Sequence, residues 1–144
     1  HGEVFDLMGL SRTPYNKINI HIGGAYGDKP SAMKRFCENF HRLPDSVKSR
    51  LTVENDDKAS MYSVVDLYEG VYKVIGIPIV FDYHHHQFCT GGLSEEDALE
   101  VAMSTWPHSD YIIDYIDTYG NKVDIMVEAK AKELAVIKYK ELYG

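Results

Sequence analysis

The chain has 144 residues, 44% of them apolar and 26% charged, which allows one soluble globular domain with a sizeable core. Its formal charge of −7 argues against a generic nucleic-acid binder, which carries a basic excess. Carboxylates that hold divalent cations hide their charge from a partner, however, so an acidic metallo-nuclease is not excluded.

Lys17-Ile18-Asn19-Ile20-His21-Ile22 alternates apolar and polar residues and stops at Gly23-Gly24, which predicts a strand and a tight turn. Pro30 and Ser31 open a helix whose Met33, Phe36, Cys37, Phe40 and Leu43 recur at helical spacing. Arg50 to Asp57 reads as a second strand entering an acidic loop. Val64, Leu67, Tyr68, Val71 and Ile75 predict one amphipathic helix from about Ser63 to Ile75. The third strand, Ile77 to Asp82, is short and β-branched and runs into His84-His85-His86. Ser94-Glu95-Glu96-Asp97 resembles a capping box before a helix that turns Ala98, Val101 and Ala102 inward. Tyr111 to Asp117 fits a short helix or a strand, and Lys122 to Glu128 is a further strand. Leu134, Ile137 and Leu142 mark a helix to the C-terminus.

Strand, loop and helix alternate, so the fold class is α/β with a mostly parallel sheet. A complete (β/α)8 barrel needs about 250 residues, with roughly 200 as a lower bound. The expectation is a single partial TIM barrel domain over residues 1–144. No apolar run nears the roughly 18–20 residues of a membrane span. Residues 1–10 lack a basic leader, and Cys37 and Cys89 sit far apart in unrelated contexts. A reduced, soluble, intracellular protein follows, nuclear or cytoplasmic, with no membrane partner.

Each clear strand delivers a potential ligand at its carboxyl end: His21, Glu54, Asp82 with His85, and Glu128. In a barrel those ends converge on one face. Imidazole and carboxylate donors suit zinc or manganese, and paired cations serve phosphodiester hydrolysis. Singly, each residue has a bland alternative: a structural histidine, a solvated carboxylate, an exposed histidine loop. Gly23, Gly24, Tyr26 and Lys29 belong to a glycine-rich turn that either holds a DNA phosphate or only links strand to helix. Asn55, Asp56 and Asp57 either support the ligands from behind or cap the next helix. Cys89 has no activating partner in sequence and reads as inert.

The stretches His21–Lys29, Arg50–Lys58, Gly76–His86 and Val123–Glu133, with His108–Ile112, resemble in this order the UV damage endonuclease family. The resemblance implies a TIM-barrel metalloenzyme, similar in arrangement to endonuclease IV, that cuts DNA 5′ to a UV photoproduct with a divalent metal cluster. Manganese is the expected metal, with zinc or magnesium as alternatives, and damaged double-stranded DNA the expected partner. Carried over residue by residue, His21 binds one metal, Glu54 bridges two, Asp82 and Glu128 join that pair, and His85 serves a third; Glu54, Asp82 and Glu128 form the catalytic set. The family's N-terminal strands, with further histidine ligands and lesion-probing residues, have no counterpart here. Its Lys-x-His element should lie between Trp106 and His108, where only Pro107 stands. The missing half then comes from an N-terminal portion or from a second chain. Rival readings are an abasic-site nuclease or sugar isomerase on a similar barrel, or a decayed, non-catalytic homologue.

Overall fold

The structure is a computed structural model that describes residues 1–107, 120 and 133–144. The chain divides into two compact units, His1–Trp106 and Pro107–Gly144. In the second unit the described residues form one helix, Glu133–Tyr143, with Lys138 paired to Glu141 at 3.3 Å. The expected strand at Lys122–Glu128 and the ambiguous segment Tyr111–Asp117 lie outside the described residues.

The first unit is built on three parallel strands in the order β1 (Ile18–Ile20), β2 (Leu51–Glu54) and β3 (Ile79–Val80). The register sets Asn19 beside Thr52, Val53 beside Ile79 and Glu54 beside Val80. Because side chains alternate across a sheet, Leu51, Val53 and Ile79 enter the apolar core while Thr52 and Glu54 face the other way. The strands are shorter than their apolar runs. Ile77 and Phe81 still pack with the core, although they lie outside the ladder.

Helix α1 (Gly2–Leu7) opens the unit, followed by α2 (Lys29–Phe40) and α3 (Asp45–Lys48). Asp28 caps α2, its carboxylate accepting from Ser31 N at 3.1 Å, so the helix starts slightly before the Pro30-Ser31 signal. Met33 and Cys37 carry its buried face, with Phe36 and Phe40 half-buried. The single helix expected over 63–75 is instead α4 (Val64–Leu67), a π-helical turn (Tyr68–Tyr72) and α5 (Lys73–Ile75). A β-carbon at Gly70 would come within 2.4 Å of the Met33 sulfur, so a larger residue there would push the Met33 side chain aside. The Gly70 carbonyl also accepts from Cys37 Sγ at 3.4 Å, which fits a locally widened helix at a tight packing point. Gly76, at φ +73°, ends the helix in the left-handed conformation.

Asp82 caps a short α6 (Tyr83–His86), which the sequence did not suggest. Helix α7 (Glu95–Ser104) begins at the Ser94 cap as expected and buries Ala98 and Ala102. Beyond it, Thr105 Oγ1 accepts from Ile79 N at 2.9 Å, and Trp106 Nε1 donates to Ile79 O at 2.7 Å. Both main-chain groups of Ile79 are thereby satisfied by side chains, blunting the edge of β3 that an adjoining strand would otherwise use. Among the described residues no helix is long and apolar enough to cross a membrane.

Candidate metal centre

The carboxyl ends of the strands gather the polar residues. His21 follows β1, Glu54 ends β2, and Asp82 and His85 follow β3. His21, Glu54 and His85 each offer a ligand atom, and these atoms lie within 4.8 Å of one another. Glu54 Oε1 stands 3.6 Å from His21 Nε2 and 3.4 Å from His85 Nδ1. The second Glu54 oxygen accepts from the Asn19 amide, whose own oxygen accepts from Thr52 Oγ1 at 2.9 Å. The sheet face thus orients the carboxylate before any ligand arrives.

Both imidazoles are backed by acceptors. His21 Nδ1 lies 3.2 Å from Asp56 Oδ1, and His85 Nδ1 lies 2.8 Å from the Asn55 carbonyl. Each contact favours a proton on Nδ1 and leaves Nε2 with its lone pair, the arrangement in which histidine binds a metal. The Asn55 carbonyl, then the carboxylates of Asp82, Glu54 and Asp57, raise the His85 imidazole above its ordinary value against the opposing effect of burial. Burial raises the Asp56 carboxyl, although the Tyr62 main-chain N–H and His21 oppose the shift.

Asn55 is fully buried and clamps the two strand ends, accepting from Asp82 N at 2.8 Å and donating to Asp82 O at 3.0 Å. Asp82 stands at the rim of the three-residue cluster. Its Oδ1 caps α6 by accepting from His85 N at 2.9 Å, and Oδ2 lies 3.9 Å from His85 Nε2. The cap hydrogen bond is the main reason its carboxyl is held below the usual range, and so ionised. Glu128 lies outside the described residues.

The histidine triplet divides three ways: His84 is exposed, His85 faces the cluster, and His86 is buried with its ring 5.3 Å from Phe81. Among the described residues, neither ring nitrogen of His86 has a hydrogen-bond partner. Gly23 (φ +96°) and Tyr26 (φ +51°) shape the turn after His21. Lys29 is engaged elsewhere, 2.9 Å from Asp66 Oδ2. Burial pushes Asp66 up, but Lys29 and Ser63 outweigh it and hold the carboxyl below its usual value. Cys89 is buried, which raises its thiol and keeps it protonated, in keeping with an inert side chain.

Sequence reasoning missed Asn19 as the residue orienting Glu54. Its signal was faint: a polar residue on the same strand face as His21, with strand pairing still unknown. The donor chemistry fits a divalent cation. Two imidazoles whose Nδ1 atoms face oxygen acceptors and one pre-oriented carboxylate match borderline metals such as manganese or zinc.

Parallel strands alternating with helices, with such a cluster at their carboxyl ends, define a partial (β/α) barrel carrying a candidate metal centre. The family model described as UV-endonuclease UvdE matches residues 1–110, and the chain belongs to that family. The UV DNA damage endonuclease of Bacillus pumilus (strain SAFR-032) is 37% identical over 171 aligned positions, covering 98% of this chain and 52% of that protein. That of Bacillus cereus (strain Q1) is 34% identical over 170, covering 96% and 51%. The crystal structure of SacUVDE superposes with a TM-score of 0.67 at 32% identity, covering 98% of this chain and 54% of that one. The chain spans about half the length of the curated relatives it matches. Both alignments exceed its 144 residues, so the relatives carry residues inside the matched stretch that have no counterpart here.

Proposed function

We propose that this chain forms one partial barrel domain, residues 1–144, of a metal-dependent endonuclease that hydrolyses the DNA phosphodiester 5′ to UV photoproducts. The observation that carries the reading is the convergence of His21, Glu54 and His85, each imidazole backed by an acceptor. Asp82 at the rim and Glu128 complete the proposed ligand set. Glu54, Asp82 and Glu128 are the proposed catalytic carboxylates, with manganese the proposed metal and zinc or magnesium the alternatives.

A bound divalent cation supplies neutralisation of charge on a phosphoryl oxygen and a water ionised near neutral pH. The chain's own residues prepare that chemistry. Asn19 fixes one oxygen of Glu54 and leaves the other facing both imidazoles. Asp56 and the Asn55 carbonyl hold the imidazole Nδ1 protons, which keeps the remaining nitrogens available as ligands. The Asn55 side chain, bonded to both main-chain groups of Asp82, ties the ends of β2 and β3 together. Damaged double-stranded DNA is the proposed partner. The rest of the barrel would come from an N-terminal portion or a second chain.

The test is nicking of a UV-irradiated duplex with added manganese. It is run on this chain alone and on the chain joined behind the N-terminal half of the Bacillus pumilus relative. Cuts on the 5′ side of photoproducts that vanish in Glu54→Gln support the reading. Full manganese uptake with no damage-dependent cuts by either protein contradicts it.

A further inference from the structure

A cleft of about 340 Å³ opens immediately after His21, between the glycine-rich turn and α2. Its volume lies at the small end of ordinary ligand pockets. Its lining combines apolar Ile22 and Phe36 with Gly24, Tyr26, Arg35 and Asn39. Arg35 and Asn39 stand four residues apart on α2, hence on the same helix face.

Two features of this cleft have no return within the fold. Tyr26 is 88% exposed and held at φ +51°, a conformation that bulky side chains avoid. Its ring passes close to Gly24, where a β-carbon would approach it within 3.0 Å, and the ring remains open to solvent. Arg35 has no ion-pair partner among the described residues, in a chain whose net charge is −7. Asp28, in the adjoining turn, is committed to capping α2. Lys29, the cation the sequence suggested for this turn, is paired with Asp66 instead.

A guanidinium without an ion pair for a phosphate, an exposed aromatic ring for a base and an amide for base or sugar edges are the parts of a single-nucleotide site. We propose that this cleft binds one nucleotide of the DNA strand beside the metal centre, its phosphate against Arg35 and its base against Tyr26. The assignment rests on DNA being the substrate of this face. It makes Arg35 and Tyr26 positioning residues, since neither belongs to the ligand cluster.

The experiment measures binding of a short fluorescein-labelled oligothymidylate to the full chain by anisotropy, in EDTA and across a salt series. Arg35→Ala should weaken binding about tenfold and lower the slope of log K on log salt by about 0.7, the value for one phosphate contact on a single strand. Tyr26→Gly should weaken binding about tenfold while the melting temperature holds or rises, because glycine tolerates the positive φ. Lys34→Ala, an exposed control on the same helix, should stay within about twofold. No binding by the unaltered chain, or equal effects of Arg35→Ala and Lys34→Ala, or a Tyr26→Gly variant that binds normally, would overturn the proposal. Because EDTA removes the metal, the two readings fail separately. Lost cleft binding with intact manganese-dependent nicking overturns the subsite alone, whereas intact cleft binding without manganese uptake removes the metal centre alone.

Discussion

Strand β2 ends on one charged residue, Glu54, and is preceded by another, Arg50, and the two use charge in opposite ways. At the amino end, Arg50 is completely buried. It donates to the carbonyls of Ser46 at 2.8 Å, Leu10 at 2.6 Å and Ser11 at 3.3 Å, and pairs with Asp6 at 2.9 Å. Its guanidinium also sits 5.7 Å from the Phe5 ring. At the carboxyl end, Glu54 is fixed through one oxygen and turns the other towards His21 Nε2 and His85 Nδ1, while His85 Nε2 faces Asp82. A buried charge held by several main-chain carbonyls and a carboxylate ties a chain together; a carboxylate oxygen beside two imidazoles that each keep a nitrogen for a ligand invites a cation. Position on the strand and satisfaction of valence, rather than charge alone, separate framework from site.

The comparison breaks most visibly at Arg50. Arg50→Met leaves the carbonyls of Leu10, Ser11 and Ser46 without their side-chain donor and Asp6 with Arg12 alone, and urea unfolding should show a loss of about 3–5 kcal/mol. Asn55→Ala should cost about 1–3 kcal/mol through its two lost bonds to Asp82. It should also weaken manganese binding about 10–100-fold in calorimetry, because His85 and Asp82 lose their shared anchor. Trp106→Phe keeps an aromatic ring, smaller than the indole, and strips the donor from Ile79 O, with an expected loss of about 1 kcal/mol and more sheet-edge association by light scattering. Glu54→Gln, without metal, should change stability by less than about 1 kcal/mol, in contrast with Arg50.

The smallest effect is a pH dependence at the Arg50 end. Hydrogen bonds from Arg12 and then Arg50 hold the Asp6 carboxyl below its usual 3.8. A lowered folded value means that this stabilisation is complete above the unfolded value and is lost as pH falls through the folded one. Asp6→Asn should therefore flatten the acid limb of a melting-temperature profile below about pH 4 and leave its slope near neutrality unchanged.

The framework end was largely hidden in the sequence and the site end largely legible. His21, Glu54, Asp82 and His85 stood out because apolar runs stop at them, and strand ends are local signals. Asn55 and Asp56 could be named as supports only in the alternative, since their partners Asp82 and His21 lie on other strands. The burial of Arg50 was unreadable because its acceptors at Gly2, Leu10 and Ser11 lie about forty positions upstream. The break in the helix over 63–75 was equally hidden, for its apolar spacing is continuous and the packing of Gly70 against Met33 of another helix has no local signal. Helix α6 escaped notice because a single turn has no periodicity to read.

The most direct measurement is a calorimetric manganese titration of the chain, beside Glu54→Gln and His85→Ala. Saturable binding by the unaltered chain, lost or weakened at least tenfold in each variant, is the result the account predicts. Absence of binding, or equal affinity in all three proteins, would contradict it.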